Sequence, residues 1–70
     1  MYNISKKFGR RVKELRLSKG YSQEKLAETA ELDRTYIPSI EAGKRNVSLV
    51  VVEKISNAFG ITISELLKDL

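Results

Sequence analysis

The side chains best able to bind a ligand lie in the middle of the chain, and they are cations and hydrogen-bond donors. Arg34 and Thr35 are neighbours, and Ser39 follows about one helical turn after Thr35. A guanidinium can donate two parallel hydrogen bonds to O6 and N7 of guanine, and a threonine can offer a base its methyl group or its hydroxyl. We therefore predict that Arg34, Thr35 and Ser39 contact base edges in duplex DNA.

A second set of polar side chains surrounds these three and suits phosphate groups. It comprises Ser22, Gln23, Tyr36, Lys44, Arg45 and Asn46. The N–H groups at a helix start carry partial positive charge, so the segment from Ser22 to Gln23 is a natural phosphate anchor. Two other interpretations stay open, because Ser22 is also a good helix cap and Lys44 with Arg45 also suits a solvated loop.

The composition limits which other chemistry is possible. The 70 residues include no cysteine and no histidine, and 13 Lys and Arg against 9 Asp and Glu give a net charge of +4. Disulfides, thiolate nucleophiles, the common zinc ligands and imidazole catalysis are thereby excluded. The sequence also lacks a phosphate-binding glycine loop and a plausible carboxylate pair. We expect no enzyme activity, no metal and no cofactor, whereas the positive charge suits a polyanionic partner.

The length and hydropathy of the chain predict one domain over residues 1–70 that stays in the cytoplasm. Domains mostly run from about 50 to 250 residues, so a second domain has no room. The longest apolar run, Leu49 to Val52, is far shorter than the roughly 20 residues that span a bilayer. A polar segment follows Met1 to Ile4 directly, which is unlike a signal peptide.

Glycines at positions 20, 43 and 60 divide the sequence into blocks of helical length. The first block carries one apolar stripe, formed by Ile4, Phe8, Val12 and Leu15. This spacing predicts a first helix over about Ser5 to Lys19, ended by a left-handed Gly20.

The middle block predicts two short helices joined by a tight turn. Ser22 can cap the first of them, which is about two turns long, and Asp33 can cap the second, which directs Ile37 and Ile40 inward. Pro38 leaves two alternatives open, because it deletes a helical N–H about five positions past Asp33. Either this helix is bent or loosened at its start, or it begins at Thr35 and the proline falls in the first turn, where it is tolerated. Two short helices joined this closely must cross steeply, so residues 22–43 are predicted to form a helix-turn-helix.

The last two blocks predict a fourth and a fifth helix. Four residues lie on one helical face of the fourth block: Leu49, Val52, Ile55 and Phe59. Ser48 can cap this helix and Gly60 can end it, while a strand here would have no partner. Thr62 and Glu65 match a capping box, which starts the fifth helix near Ile63 and lets it run to the chain end. The predicted fold class is therefore an all-α domain of five helices.

The run from Arg16 to Leu67 resembles the Cro and phage-repressor family, also called XRE-type helix-turn-helix proteins. The segments that carry the resemblance are 22–27, 32–37 and 40–46. The stretch Asp33-Arg34-Thr35-Tyr36 is particularly similar to the restriction-modification controller proteins, which are small dimeric regulators. The resemblance implies a compact DNA-binding domain of the phage-repressor type, a transcriptional regulator that binds a palindromic operator in double-stranded DNA as a homodimer.

The resemblance also implies roles for residues outside the DNA-reading segment. Arg16 and Glu41 fall where family members form a partly buried, structural salt bridge. The dimer interface falls in the region of helix five, on Ile63, Leu66, Leu67 and Leu70. Exposed leucines there allow an alternative function, an antitoxin-like or protein-interaction helical module with little or no DNA specificity.

One departure from the family pattern lies in the turn of the motif. The family usually has a glycine where this chain has Glu31. A left-handed glutamate is strained by roughly 1 kcal/mol, so we expect this turn to be shaped differently.

Overall fold

The computed structural model describes residues 3–70, and within this range the only regular elements are five α-helices. These are α1 (Ile4–Ser18), α2 (Gln23–Thr29), α3 (Tyr36–Glu41), α4 (Leu49–Phe59) and α5 (Ile63–Leu66). The predicted all-α class is thereby confirmed. Among these described helices, none combines the length and the apolar character that crossing a membrane requires.

Side-chain caps start four of the helices, and three of these caps were predicted. Ser22, Ser48 and Thr62 accept the backbone N–H of the third helical residue of α2, α4 and α5. Asn3 does the same for α1. Glu65 also accepts the backbone N–H of Thr62, which completes the predicted capping box. Caps of this kind stabilise a helix by about 1 kcal/mol each, so these boundaries are determined locally.

The start of α3 corrects the prediction that Asp33 caps it. The N-cap is Thr35, which forms no side-chain capping bond. Asp33 Oδ1 instead accepts the backbone N–H of Thr35 at 2.9 Å, two residues on, as aspartates commonly do in turns. Pro38 is therefore the third residue of α3, within the turn where its missing N–H leaves no bond unmade. The alternative start at Thr35 is therefore correct to within one residue, since α3 begins at Tyr36.

The turns after α1, α2 and α3 share one backbone arrangement, in which a left-handed residue follows the helix cap. Gly20 and Gly43 take this conformation with φ of 73° and 74°, and Glu31 takes it after α2 with φ of 57°. The N–H of Glu31 bonds to Glu28 at 3.1 Å, and the N–H of Leu32 bonds to Ala27 at 2.8 Å. The expectation of a differently shaped turn is thus wrong, since the chain keeps the left-handed turn with a glutamate in it.

The core forms where α1, the α2–α3 pair, α4 and α5 meet. Its buried side chains are Phe8, Val12, Leu26, Ala27, Ile37, Ile40, Val52, Ile55, Phe59 and Leu66. Ile4 and Leu49 do not join them, although both were predicted on apolar faces. Each is the first residue of its helix, and Leu49 is 82% exposed.

Helix α5 is shorter than predicted, because it ends at Leu66 and does not continue to the end of the chain. Arg11 on α1 donates to the carbonyl oxygens of Glu65 and Leu66, at 2.7 and 3.2 Å. These two carbonyl oxygens therefore accept hydrogen bonds from a side chain of α1. Asp69 then adopts a left-handed φ of 64°, which no continuing helix can accommodate.

Gly9 allows α1 to lie directly against the end of α3. A Cβ atom at this position would collide with the carbonyl oxygen of Ile40 and approach that of Glu41 to 3.0 Å. The backbone of α1 thus touches the backbone of α3, and the angle between the two helices depends on this contact.

Candidate nucleic-acid interface

Arg34 lies on the surface, two residues before α3 begins. Its side chain is exposed, and no described residue forms a hydrogen bond or an ion pair with it. The guanidinium keeps all five of its N–H donors for an external ligand. A ligand with a pair of acceptors, such as a guanine edge, matches this group.

Thr35 is held in place by Asp33, an orienting residue that was predicted to be a helix cap. The Thr35 hydroxyl donates to Asp33 Oδ1 at 2.6 Å. This hydrogen bond is the main reason that the pKa of Asp33 lies below its usual 3.8, followed by the bond from the Thr35 N–H. Because a hydroxyl has one proton, Thr35 can offer a ligand its methyl group or an acceptor oxygen. It cannot donate to a phosphate while this bond persists.

Ser39 is engaged on both sides by its own chain. Its hydroxyl donates to the carbonyl oxygen of Tyr36 at 3.2 Å and accepts from Nε of Arg45 at 2.8 Å. The guanidinium of Arg45 lies over the Tyr36 ring, with Cζ 4.1 Å from the ring centroid. Three of the predicted site residues, Tyr36, Ser39 and Arg45, thus contact one another.

Ser22 and Gln23 lie at the start of α2. Ser22 Oγ accepts the N–H of Lys25 at 2.9 Å, which leaves its proton available to a ligand. Gln23 Nε2 donates to Glu41 Oε1 at 3.1 Å and retains one further N–H. Both residues can therefore serve the structure and still donate to an acceptor outside the chain.

Lys44 and Asn46 lie in the loop between α3 and α4. Lys44 is exposed, and no described residue forms a hydrogen bond or an ion pair with its ammonium group. Asn46 Oδ1 accepts from the hydroxyl of Ser5 at 3.3 Å, which leaves the amide N–H groups of Asn46 free of partners in residues 3–70. The loop therefore carries donors next to the end of α3.

Arg16 and Glu41 form a paired ion bridge between α1 and the end of α3. Arg16 Nε lies 2.7 Å from Glu41 Oε2, and Nη2 lies 3.1 Å from Oε1. Arg16 Nη1 also donates to the carbonyl of Tyr21 at 2.8 Å. Both side chains are nearly buried, at 10% and 6% exposure. This pair, joined by Gln23, links all three helices that place the site.

The apolar surface near α5 differs from the predicted interface in one residue. Leu66 is fully buried in the core, so its side chain cannot contact a second copy. Ile63 and Leu67 are partly exposed, at 38% and 37%. Leu70 is half-buried, packs against the core and borders an apolar groove of about 440 Å³ together with Leu67.

Two further apolar residues are exposed at the start of α4, and they were not among the predicted interface residues. Leu49 and Val50 are 82% and 60% exposed. Their position in the first turn of α4 could have indicated this exposure, because the end of a helix often lies outside the region that the neighbouring helices cover. Helices α4 and α5 pack against each other.

Known proteins resemble this chain in both sequence and structure. The helix-turn-helix family matches residues 12–66. Control protein C.MunI from a Mycoplasma species is 55% identical, over 100% of this chain and 96% of its own length. Restriction-modification controller protein C.AhdI from Aeromonas hydrophila superposes with a TM-score of 0.88 at 49% identity, covering 93% of this chain and 98% of that one. SinR in complex with DNA superposes with a TM-score of 0.81 at 37% identity, covering 87% and 98%.

Proposed function

This chain belongs to the helix-turn-helix family of transcriptional regulators, and we propose that it is a restriction-modification controller that binds a palindromic operator as a homodimer. It is not an enzyme, since its family and its relatives are regulators. The observation that carries the proposal is the exposed Arg34 guanidinium, which has no partner among the described residues and lies at the leading end of α3. Regulators of this type place that end in the major groove. We place the protein in the cytoplasm with its DNA.

Arg34 and Thr35 are the proposed base-reading residues. Arg34 donates two hydrogen bonds to a guanine edge, and each such bidentate contact discriminates by about 1–3 kcal/mol. Thr35 brings its methyl group to a thymine methyl, because its hydroxyl proton is bonded to Asp33.

The proposed phosphate contacts come from donors around α3 that remain available. These are the Ser22 hydroxyl, the second amide N–H of Gln23, the Lys44 ammonium, the Asn46 amide, the Tyr36 hydroxyl and the Arg45 guanidinium. Contacts of this kind set the orientation of a protein on DNA. The two cations among them, Lys44 and Arg45, make the affinity fall as the salt concentration rises.

The homodimer is proposed to form through the apolar surface that α4 and α5 share. Ile63 and Leu67 remain in the proposed interface, Leu70 contributes its exposed edge, and Leu49 with Val50 extend it. Apolar patches of this kind on a small protein mark interaction sites. A two-fold dimer then presents two copies of α3 to successive turns of one DNA face.

Selection of bound sites from random duplex DNA tests this function directly. We expect a two-fold symmetric sequence whose half-site centres lie about 10 base pairs apart. A single asymmetric site would contradict the dimer. A chain that neither binds DNA nor dimerises would favour the protein-interaction module.

Substitution of Arg34 tests the reading role on the selected operator. Arg34→Ala should weaken operator binding by about 1–3 kcal/mol and relax the preference at one base pair per half-site. Arg10→Ala, which removes an exposed arginine from α1, is the matched control and should leave the preference unchanged. Lys44→Ala should weaken all sequences alike and reduce the salt slope by about one. If Arg34→Ala kept the full sequence preference, Arg34 would not be a reading residue.

A further inference from the structure

The side chain of Arg45 is attached to α3 at two points before any ligand binds. Its Nε donates to the Ser39 hydroxyl at 2.8 Å, and its guanidinium lies 4.1 Å above the Tyr36 ring. Tyr36 and Ser39 are three residues apart and therefore lie on one face of the helix. Arg45 itself belongs to the loop that follows α3. Its guanidinium is therefore held against the side of α3 although the residue lies outside the helix.

The hydrogen bonds of Ser39 and Arg45 show which of their donors remain available to a ligand. Ser39 uses its single proton on the carbonyl of Tyr36, at 3.2 Å, so it has none to offer a base or a phosphate. Arg45 uses Nε on Ser39, and its two Nη groups have no hydrogen-bond partner among residues 3–70. Stacking on an aromatic ring leaves those planar N–H donors accessible at the edge of the guanidinium.

We propose that Ser39 is a positioning residue, which does not read bases but holds Arg45 so that its two Nη groups meet one DNA phosphate. This inference rests on the proposed function and adds a part to it. A free arginine loses rotamer freedom when it binds a phosphate, and an arginine held in place beforehand has lost most of that freedom already. The Ser39 hydroxyl therefore contributes to affinity through Arg45, without touching DNA.

Affinity and salt dependence of the full chain on its selected operator, and on an unrelated duplex, test this role. Ser39→Ala should weaken both by a similar factor, about two- to tenfold, which is the cost of ordering one long side chain. The slope of log affinity against log salt should stay unchanged, because Arg45 keeps its charge. Arg45→Ala should reduce that slope by about one. Ser39→Thr, which keeps the hydroxyl, should bind as the natural chain does.

The decisive comparison is the double variant. With Arg45→Ala already present, adding Ser39→Ala should cause no further loss, because the group that Ser39 positions is gone. Ser18→Ala is the matched control, since the Ser18 hydroxyl also donates to a carbonyl three residues back, that of Leu15 at 2.8 Å. It should leave binding unchanged. Thermal unfolding of each variant shows that the chain is folded, and Ser39→Cys replaces Ser39→Ala if the latter unfolds.

Several outcomes overturn the inference. One such outcome is that Ser39→Ala binds DNA as tightly as the natural chain does. Another is that Ser39→Ala lowers the DNA affinity by the same factor in the natural chain and in the Arg45→Ala variant. A loss confined to one base pair would overturn the phosphate assignment, because it would place Arg45 or Ser39 on a base edge. Absence of DNA binding by the natural chain would be a different result, since it removes the proposed function together with this inference.

Discussion

Glu41 is the residue on which the position of the whole site depends most directly. Its carboxylate accepts two hydrogen bonds from Arg16 and one from Gln23. Arg16 belongs to α1, Gln23 begins α2, and Glu41 ends α3. One nearly buried carboxylate thus joins the three helices that position the proposed DNA-contacting side chains, and we infer that its role is structural.

Glu41→Ala should lower the free energy of unfolding by about 3–5 kcal/mol, measured by urea denaturation. The loss is large because Arg16 would stay buried with only the Tyr21 carbonyl as a partner. The folded fraction should keep its operator preference. Glu28→Ala is the control, since it removes an exposed carboxylate 3.8 Å from Lys25 and should cost less than about 1 kcal/mol. Equal losses in the two variants would contradict a buried, structural pair.

At the scale of elements, the turn between α2 and α3 is the strained part of the motif. Glu31 holds a left-handed φ of 57° at a place where Gly20 and Gly43 serve the equivalent turns. Its carbonyl accepts from Lys54 Nζ at 3.4 Å, so α4 contacts the strained turn. The turn keeps its left-handed shape because the close packing of α2 on α3 requires it. Glu31 adopts this backbone conformation at a cost in conformational energy.

Glu31→Gly should therefore raise the free energy of unfolding by about 0.5–1 kcal/mol. A left-handed non-glycine residue costs roughly 1–2 kcal/mol, and the greater freedom of glycine in the unfolded chain offsets about 0.5–1 kcal/mol of the gain. Glu31→Ala is the control, because it removes the same charge but retains a Cβ, and it should change stability little. Chemical denaturation of the three chains measures the difference. A gain in the alanine variant as large as in the glycine variant would point to charge and not to strain.

For the whole molecule, the proposed homodimer has to bring two copies of α3 to one DNA duplex. The exposed apolar side chains at α4 and α5 are the proposed contact between copies. Because Leu66 fills the core, the α5 contribution falls to Ile63 and Leu67. A seventy-residue fold leaves such residues on its surface, and a second copy can cover them.

Leu67→Glu should weaken the dimer by about ten- to a hundredfold, as measured by sedimentation equilibrium. Burying a leucine contributes about 1.5–3 kcal/mol, and a glutamate at the same place adds the cost of a desolvated charge. Leu17→Glu places the same change on an exposed leucine of α1 and should leave the dimer intact. If Leu17→Glu dissociated the dimer and Leu67→Glu did not, the interface would lie on α1.

The helices and most of their ends could be predicted from the order of the residues alone, because they depend on residues within about four positions of one another. Ser22, Ser48 and Thr62 cap where they were predicted to, and Gly20 and Gly60 end their helices in the left-handed conformation. The family resemblance was equally local, carried by short runs of adjacent residues.

Which side chains remain free to bind a ligand depends on how the five helices pack together. Leu66 is buried and Leu49 exposed because other helices cover one and not the other, and no local pattern records that coverage. The carbonyl oxygen of the Asn46 side chain is engaged because Ser5, 41 positions earlier in the chain, donates to it from α1. Burial and hydrogen-bond partners depend on contacts between segments distant along the chain, and so they follow from the packing of α1 to α5 as a whole.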